Sequence, residues 1–226
     1  MPMRCASVPW LLAVAVTAIA VFVALTIAVT GSSSLALDSR AFEIADDLRA
    51  PWLNDAARVV TKLGLIAIVG SAVLVGAVVL IKHRDRARAA VLVVGAALAW
   101  TSVWIVKSLV DRPRPPDPLV HTSGQSYPSA HAANSVGWLA VAIALTVAIR
   151  TPGGRIAAIT VGALLAVLVG LSRIYLRAHY VSDVVAGEAL AVAMYALATI
   201  GPIAWQSHRD SAISAQATAS LPTGVI

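Results

Sequence analysis

Two histidines, one carboxylate and a set of cations fall in three short segments of this 226-residue chain. The first runs from Lys107 to Arg114 and Pro115, the second is Pro128-Ser129-Ala130-His131, and the third holds Ser172, Arg173, His179 and Asp183. His179 and Asp183 are spaced i,i+4, which on a helix places them on one face within reach of a hydrogen bond. A carboxylate on one imidazole nitrogen fixes the tautomer and frees the other nitrogen to act as nucleophile or base. It also stabilises the positive charge that the ring gains on forming a bond. Ser129 is a natural N-cap before an apolar run, so the helix it opens offers backbone N–H groups and a positive dipole end to an anion. His131 falls in that first turn, where an imidazole can protonate a leaving alkoxide. Arg114 and Arg173 can grip phosphate oxygens in bidentate fashion, and Lys107 adds a point charge. Each segment taken singly also fits a plainer role: an interfacial ion pair, an ordinary cap, a snorkelling lysine. Together they are the parts needed to hold a phosphate and attack it.

The elements that carry these segments are too apolar for water. Hydrophobic residues make up 59% of the chain and charged residues 12%, against about a quarter charged in soluble domains. A span needs about 20 apolar residues, and six runs qualify, at about 9–30, 63–81, 89–106, 132–149, 156–172 and 184–205. Runs of this length without alternation specify helices and not a barrel. The expectation is an all-α, six-transmembrane bundle over residues 1–205, followed by a disordered cytoplasmic tail over 206–226. Between the first two spans, residues 37–62 carry Phe42, Ile44, Ala45 and Leu48, then Trp52, Leu53, Val59 and Val60, at helical spacing on either side of Pro51. They predict two short amphipathic helices at the outer interface, with Trp52 as an anchor.

Six spans place the end of the third, the start of the fourth and the end of the fifth on one membrane face, so the three segments share a side. The cluster Lys82, Arg84, Arg86 and Arg88 marks the opposite side as cytoplasmic. Both termini are then inside and the segments face outward from a plasma membrane. The first run exceeds the apolar core of a secretory signal, although Ser34-Leu35-Ala36 is a tolerable cleavage site. Cys5 is the single cysteine and supports neither a disulfide framework nor a thiolate metal site. A net charge of +6 is split among short loops, and no nucleic-acid face follows from it. Glu188, inside the sixth run, is expected to face a neighbouring helix, away from the His179 side.

The three segments resemble the signature of the type 2 phosphatidic acid phosphatase family of membrane lipid phosphatases. Lys107 to Pro115 is similar to its first motif. Pro128-Ser129-Ala130-His131 resembles its Pro-Ser-Gly-His motif, with Ala130 where glycine is usual. Ser172 to Asp183 is similar to the third. Vanadate haloperoxidases share a related site, but they are soluble. The resemblance implies a metal-independent phosphatase without cofactor, acting on a lipid phosphate or diphosphate at the outer face. It implies His179 as nucleophile, forming a phosphohistidine, His131 as acid and then base, and Asp183 as the group that orients His179. Lys107, Arg114, Ser129, the Ala130 amide and Arg173 would cradle the phosphoryl oxygens. Arg112 would contact either phosphate or the headgroup region. Polyprenyl diphosphate, phosphatidylglycerol phosphate and phosphatidic acid are the substrate candidates; the sequence sets neither the choice nor an oligomeric state. A phosphorylated-lipid transporter that uses the cradle only to bind is the alternative, although it would not need both histidines.

Overall fold

In the computed structural model the chain is described over residues 8–31 and 34–219, with side chains through Ile203. Cys5 therefore lies outside the described residues. Among the described residues eight helices follow one another: α1 (Val8–Thr30), α2 (Ala36–Asp47), α3 (Pro51–Lys62), α4 (Ile66–Lys82), α5 (Arg86–Leu109), α6 (Ala130–Leu145), α7 (Pro152–Tyr175) and α8 (Val181–Ala219). No strand occurs among the described residues.

Local chemistry explains where the helices start. Asp85 caps α5 by accepting from the Arg88 amide, and Thr151 caps α7 by accepting from the Gly154 amide, with Pro152 in the first turn. Ser129 caps α6, accepting from the Ala132 amide at 3.4 Å. Pro51 stands in the first turn of α3, as Pro152 does in α7, and divides α3 from α2.

Among the described residues four helices are long and apolar enough to cross a bilayer: α1, α5, α7 and α8 from Val181 to Ile203. The pair α3–α4, bent by 47°, makes a fifth if it is one broken span. Helix α6 has 16 residues, about 24 Å of rise, which is short for the hydrocarbon core. Six crossings thus require both the bent pair and α6 to traverse. The bundle exposes Val16, Ile27, Leu74, Val75, Ile105 and Leu164 around its flanks, the apolar surface of an integral membrane protein.

Helix α8 runs through the middle, packing against α1, α5 and α6, while α6 lies along α7. Small residues permit the contacts. A methyl at Gly162 would come within 2.8 Å of the Trp138 carbonyl oxygen, so α6 and α7 approach at backbone distance. Helix α1 belongs to the packed bundle: Val29 joins Tyr127 and Ala186 in one buried cluster, and Thr26 shares a 2.7 Å hydrogen bond with the Tyr127 hydroxyl.

Two expectations change. Where an unstructured tail was expected from residue 206, α8 continues to Ala219; Ala212, Ala215, Ala217 and Ala219 are strong helix formers. Residues 220–226 lie outside the described residues. The segment 37–62 does form two short helices, and they expose Leu37, Ile44, Leu48, Trp52 and Val59. Yet α2 also packs on α7 and α8, and α3 on α7. Both reach the site from behind.

Candidate active site

All three segments meet at one end of the bundle, where α5 and α7 finish and α6 and α8 begin. His179 precedes α8 and is 2% exposed. Its Nδ1 lies 3.5 Å from Asp183 Oδ2, at the outer limit of a hydrogen bond, and has no other acceptor. The approach is not that of two residues on one helix face, as their spacing suggested. His179 lies outside α8, and Asp183 in the first turn folds back to accept the Tyr180 amide at 3.0 Å. A helix start therefore brings the carboxylate under the imidazole. Nδ1–H pointing at Asp183 assigns the tautomer that leaves Nε2 with its lone pair. Nε2 is 3.2 Å from Arg114 Nη1. Burial, opposed by Asp183 and assisted by Arg173 and Arg114, lowers the His179 pKa to about 4, so the ring is neutral at physiological pH.

The cations are held by backbone oxygen. Arg114 donates to the carbonyls of Ser123 and Ala178 at 2.8 Å each and of Gly124 at 2.9 Å. Lys107 Nζ donates to the Gln125 carbonyl at 2.8 Å. Arg173, 5% exposed, gives Nη1 to the Thr61 hydroxyl at 2.8 Å, while its Nε is buried without an acceptor. An orphaned buried donor in a cationic cluster is a group that an anion would satisfy. His131 stands in the first turn of α6, where the charges of Arg173, His179, Arg114 and Lys107 act on it.

The turn that carries His131 is fixed from two sides. The Ser129 amide donates to the Asp183 carbonyl at 2.9 Å. A methyl at Gly187 would lie 2.5 Å from the Ser129 carbonyl oxygen, backbone that cannot yield, so α8 needs glycine there to reach the turn. On the other side, the α3–α4 elbow passes so close that a methyl at Gly64 would be 2.9 Å from the His131 carbonyl oxygen. Asn134 and Trp138 of α6 hold the elbow by donating to the carbonyls of Gly64 and Leu63 at 3.2 and 2.9 Å. The amides of Ala130 and His131 open the helix and have no intrahelical acceptor. Ala130 packs against the buried cluster of α5, α6 and α8, so its side chain adds to the core.

Arg112 is 3% exposed, and its guanidinium is held between two buried carboxylates. Nη1 donates to Asp183 Oδ1 at 2.5 Å and to Ser182 Oγ at 2.7 Å; Nη2 donates to Asp38 Oδ2 at 2.9 Å. The Tyr180 ring packs against the guanidinium at 4.1 Å. Asp183 Oδ2 also accepts from the buried Ser126 hydroxyl. Asp38, Ser126, Thr61 and Ser182 are thus site residues that sequence reasoning missed. Glu188 lies against α7, its carboxylate 2.7 Å from where a Gly170 methyl would sit; this agrees with its expected placement toward a neighbouring helix.

Comparison with known proteins gives the class: this is a membrane phosphatase, a hydrolase of phosphoric esters. The PAP2 superfamily model matches residues 86–206, more than half of the chain, and the chain belongs to that superfamily. It is 29% identical over 182 residues to phosphatidylglycerophosphatase B of Bacillus subtilis (strain 168), covering 78% of this chain and 88% of that protein. The crystal structure of a transmembrane PAP2-type phosphatidylglycerolphosphate phosphatase from Bacillus subtilis superposes with a TM-score of 0.71 at 26% identity, covering 81% of this chain and 93% of that one. Aquifex aeolicus LpxE matches with a TM-score of 0.59 at 20% identity, over 74% and 96% of the respective chains, which shows a shared fold.

Proposed function

We propose that the chain hydrolyses a lipid phosphate or diphosphate at the outer membrane face through a phosphohistidine on His179. The observation that carries this is the neutral, buried imidazole: Asp183 stands 3.5 Å behind Nδ1, and Arg114 lies 3.2 Å from Nε2. Nε2 attacks phosphorus in line while the bond to the lipid oxygen breaks. His131 gives its proton to that oxygen. Water then attacks the phosphohistidine, His131 takes the water's proton, and phosphate leaves with His179 restored. Lys107, Arg114, Arg173, the Ser129 hydroxyl and the Ala130 amide hold the phosphoryl oxygens as charge develops. These cations do the work that a metal does elsewhere, and three of them converging disfavour a divalent ion at the same place. Likeness to phosphatidylglycerophosphatase B supports phosphatidylglycerol phosphate as the first substrate to try, ahead of phosphatidic acid and polyprenyl diphosphate.

Purified protein in detergent with excess EDTA is expected to release phosphate from at least one member of that lipid panel. Binding without release would favour a transporter. Activity restored only by added Mg²⁺ or Zn²⁺ would remove the metal-independent cradle.

We also propose the six-span topology with both termini inside. In a Cys5→Ser background, cysteine at position 121 is expected to react with an impermeant maleimide in intact cells, and cysteine at position 86 to be protected. Both positions are exposed. The reverse pattern would put the site on the cytoplasmic face.

A further inference from the structure

The hydrogen bonds behind His179 do not end at Asp183. Arg112 bridges Asp183 to Asp38 of α2, and both carboxylates are 0% exposed. Asp38 is fully occupied: Oδ1 accepts from the Ser182 amide at 2.9 Å, and Oδ2 accepts from Arg112 at 2.9 Å and from the Leu35 amide at 3.1 Å. The Ser182 hydroxyl lies within 2.9 Å of both oxygens. Removing three ions from water is costly, and apolar replacements of such triads are often at least as stable. Stability alone therefore gives little reason for an Asp–Arg–Asp cluster here. Arg112 and Asp183 alone would sum to zero charge. The second carboxylate leaves the cluster with a net charge of −1.

That charge matters because of what faces His179. Arg114 from the loop after α5 and Arg173 from α7 act on it with the same sign as an imidazolium. Lys107 of α5 and Arg114 act with the same sign on His131 of α6. Among the described residues, Asp183 is the carboxylate that opposes them. Phosphorylation of Nε2 makes the ring cationic while Nδ1 keeps its proton, so the step needs an anion whose charge is not already cancelled.

We infer that Asp38 is a positioning residue for catalysis: by sharing Arg112 it leaves Asp183 the negative charge with which to stabilise the phosphohistidine on His179. This rests on the phosphohistidine reading proposed above. Nothing in the three motifs contains Asp38, which lies 69 residues before Lys107.

Charge arithmetic supplies the test. Asp38→Asn takes the cluster from −1 to zero, Arg112→Gln takes it to −2, and the double variant returns it to −1. Steady-state kinetics on short-chain phosphatidic acid in detergent, from pH 4 to 8, would be measured on proteins checked by size exclusion. Asp38→Asn is expected to lower kcat by about 10- to 100-fold with KM nearly unchanged. Adding Arg112→Gln is expected to recover kcat severalfold above Asp38→Asn and to return the acid limb to its wild-type pH, which restored packing alone would not do. An Asp38→Asn enzyme within about twofold of wild type, or a double variant no better than Asp38→Asn, overturns the inference. Should Asp38→Asn not be recovered folded, Arg112→Gln decides: its acid limb moves to higher pH if the cluster charge acts on His179, and an unmoved limb overturns the inference. Wild-type enzyme quenched in alkaline dodecyl sulfate separates the parent reading. Absence of an alkali-stable, acid-labile phosphoenzyme sinks the phosphohistidine itself, whereas its presence with an uncoupled double variant sinks Asp38 alone.

Discussion

Replacing His179 with alanine is expected to abolish phosphate release while the protein still folds and inserts. Asp183 keeps its donors in this variant: the Ser126 hydroxyl, the Tyr180 amide and Arg112 all remain. The backbone at position 179 still donates to the Arg173 carbonyl. Size exclusion and thermal unfolding should therefore change little. Turnover should fall by more than about 10⁴-fold, since removing an attacking atom removes the covalent route outright. Activity within about tenfold of wild type would sink the assignment. The same residue sets an expectation in pH. Burial holds its pKa near 4, below the ordinary value of 6.5. The proposed nucleophile is therefore unprotonated above that value, and it is lost by protonation as the pH falls through it. The acid limb of kcat/KM that belongs to the free enzyme is expected close to pH 4. A limb at the unperturbed value would mean that His179 is better solvated than its 2% exposure indicates.

The sequence made this core of the site readable because it is built from short, ordered spacings. Lys107, Arg114, Ser129, His131, Arg173, His179 and Asp183 stand at helix ends, and alternate helix ends fall on one side of a bundle. Hydropathy showed those ends. The cap at Ser129 was legible for the same local reason: its hydroxyl serves the amide three residues on. What escaped was long-range pairing. Asp38 and Arg112 are 74 positions apart, and Thr61 and Arg173 are 112. A lone Asp in an amphipathic segment looks solvated, because burial of its partner leaves no periodic mark. Gly187 and Gly64 were illegible for a related reason: their use is close approach to Ser129 and His131, a property of the second backbone. The span count blurred where a helix is shorter or more bent than its apolar run. Residues 63–81 became the last part of a 47° elbow, and 132–149 became the 16-residue α6.

The elbow and the amphipathic helices give the site a scaffold independent of the motif-bearing ends. Thr61 of α3 holds Arg173, the α3–α4 elbow abuts His131, and Asp38 of α2 reaches Asp183 through Arg112. Cations forced together repel, and each must be fixed by groups that cannot retreat. Here these are backbone carbonyls in the loop after α5 and hydroxyls from α3 and α8. Such fixing is what electrostatic preorganisation requires: donors already aimed where charge will develop cost no reorientation during the reaction.

His131→Ala is expected to separate the two halves of the mechanism. His131 stands in the first turn of α6, where the charges of Arg173, His179, Arg114 and Lys107 act on its ring. Its proposed roles are to protonate the departing lipid oxygen and later to deprotonate water. With a lipid alkoxide as leaving group, loss of the acid should cost about 10²- to 10⁴-fold in turnover. An aryl phosphate such as p-nitrophenyl phosphate departs as a stable phenolate and needs no proton. Phosphorylation of His179 by that substrate should therefore survive in the variant, while hydrolysis of the phosphohistidine still lacks its base. The result is a kinetic signature and not merely a slow enzyme: a burst of nitrophenolate close to one equivalent, followed by slow turnover, with phosphoenzyme accumulating on alkaline quench. Wild type should show neither burst nor accumulation to that extent. Equal losses on both leaving groups, with no burst, would mean that His131 serves only to bind phosphate. The proton would then have to come from water entering between the helix ends.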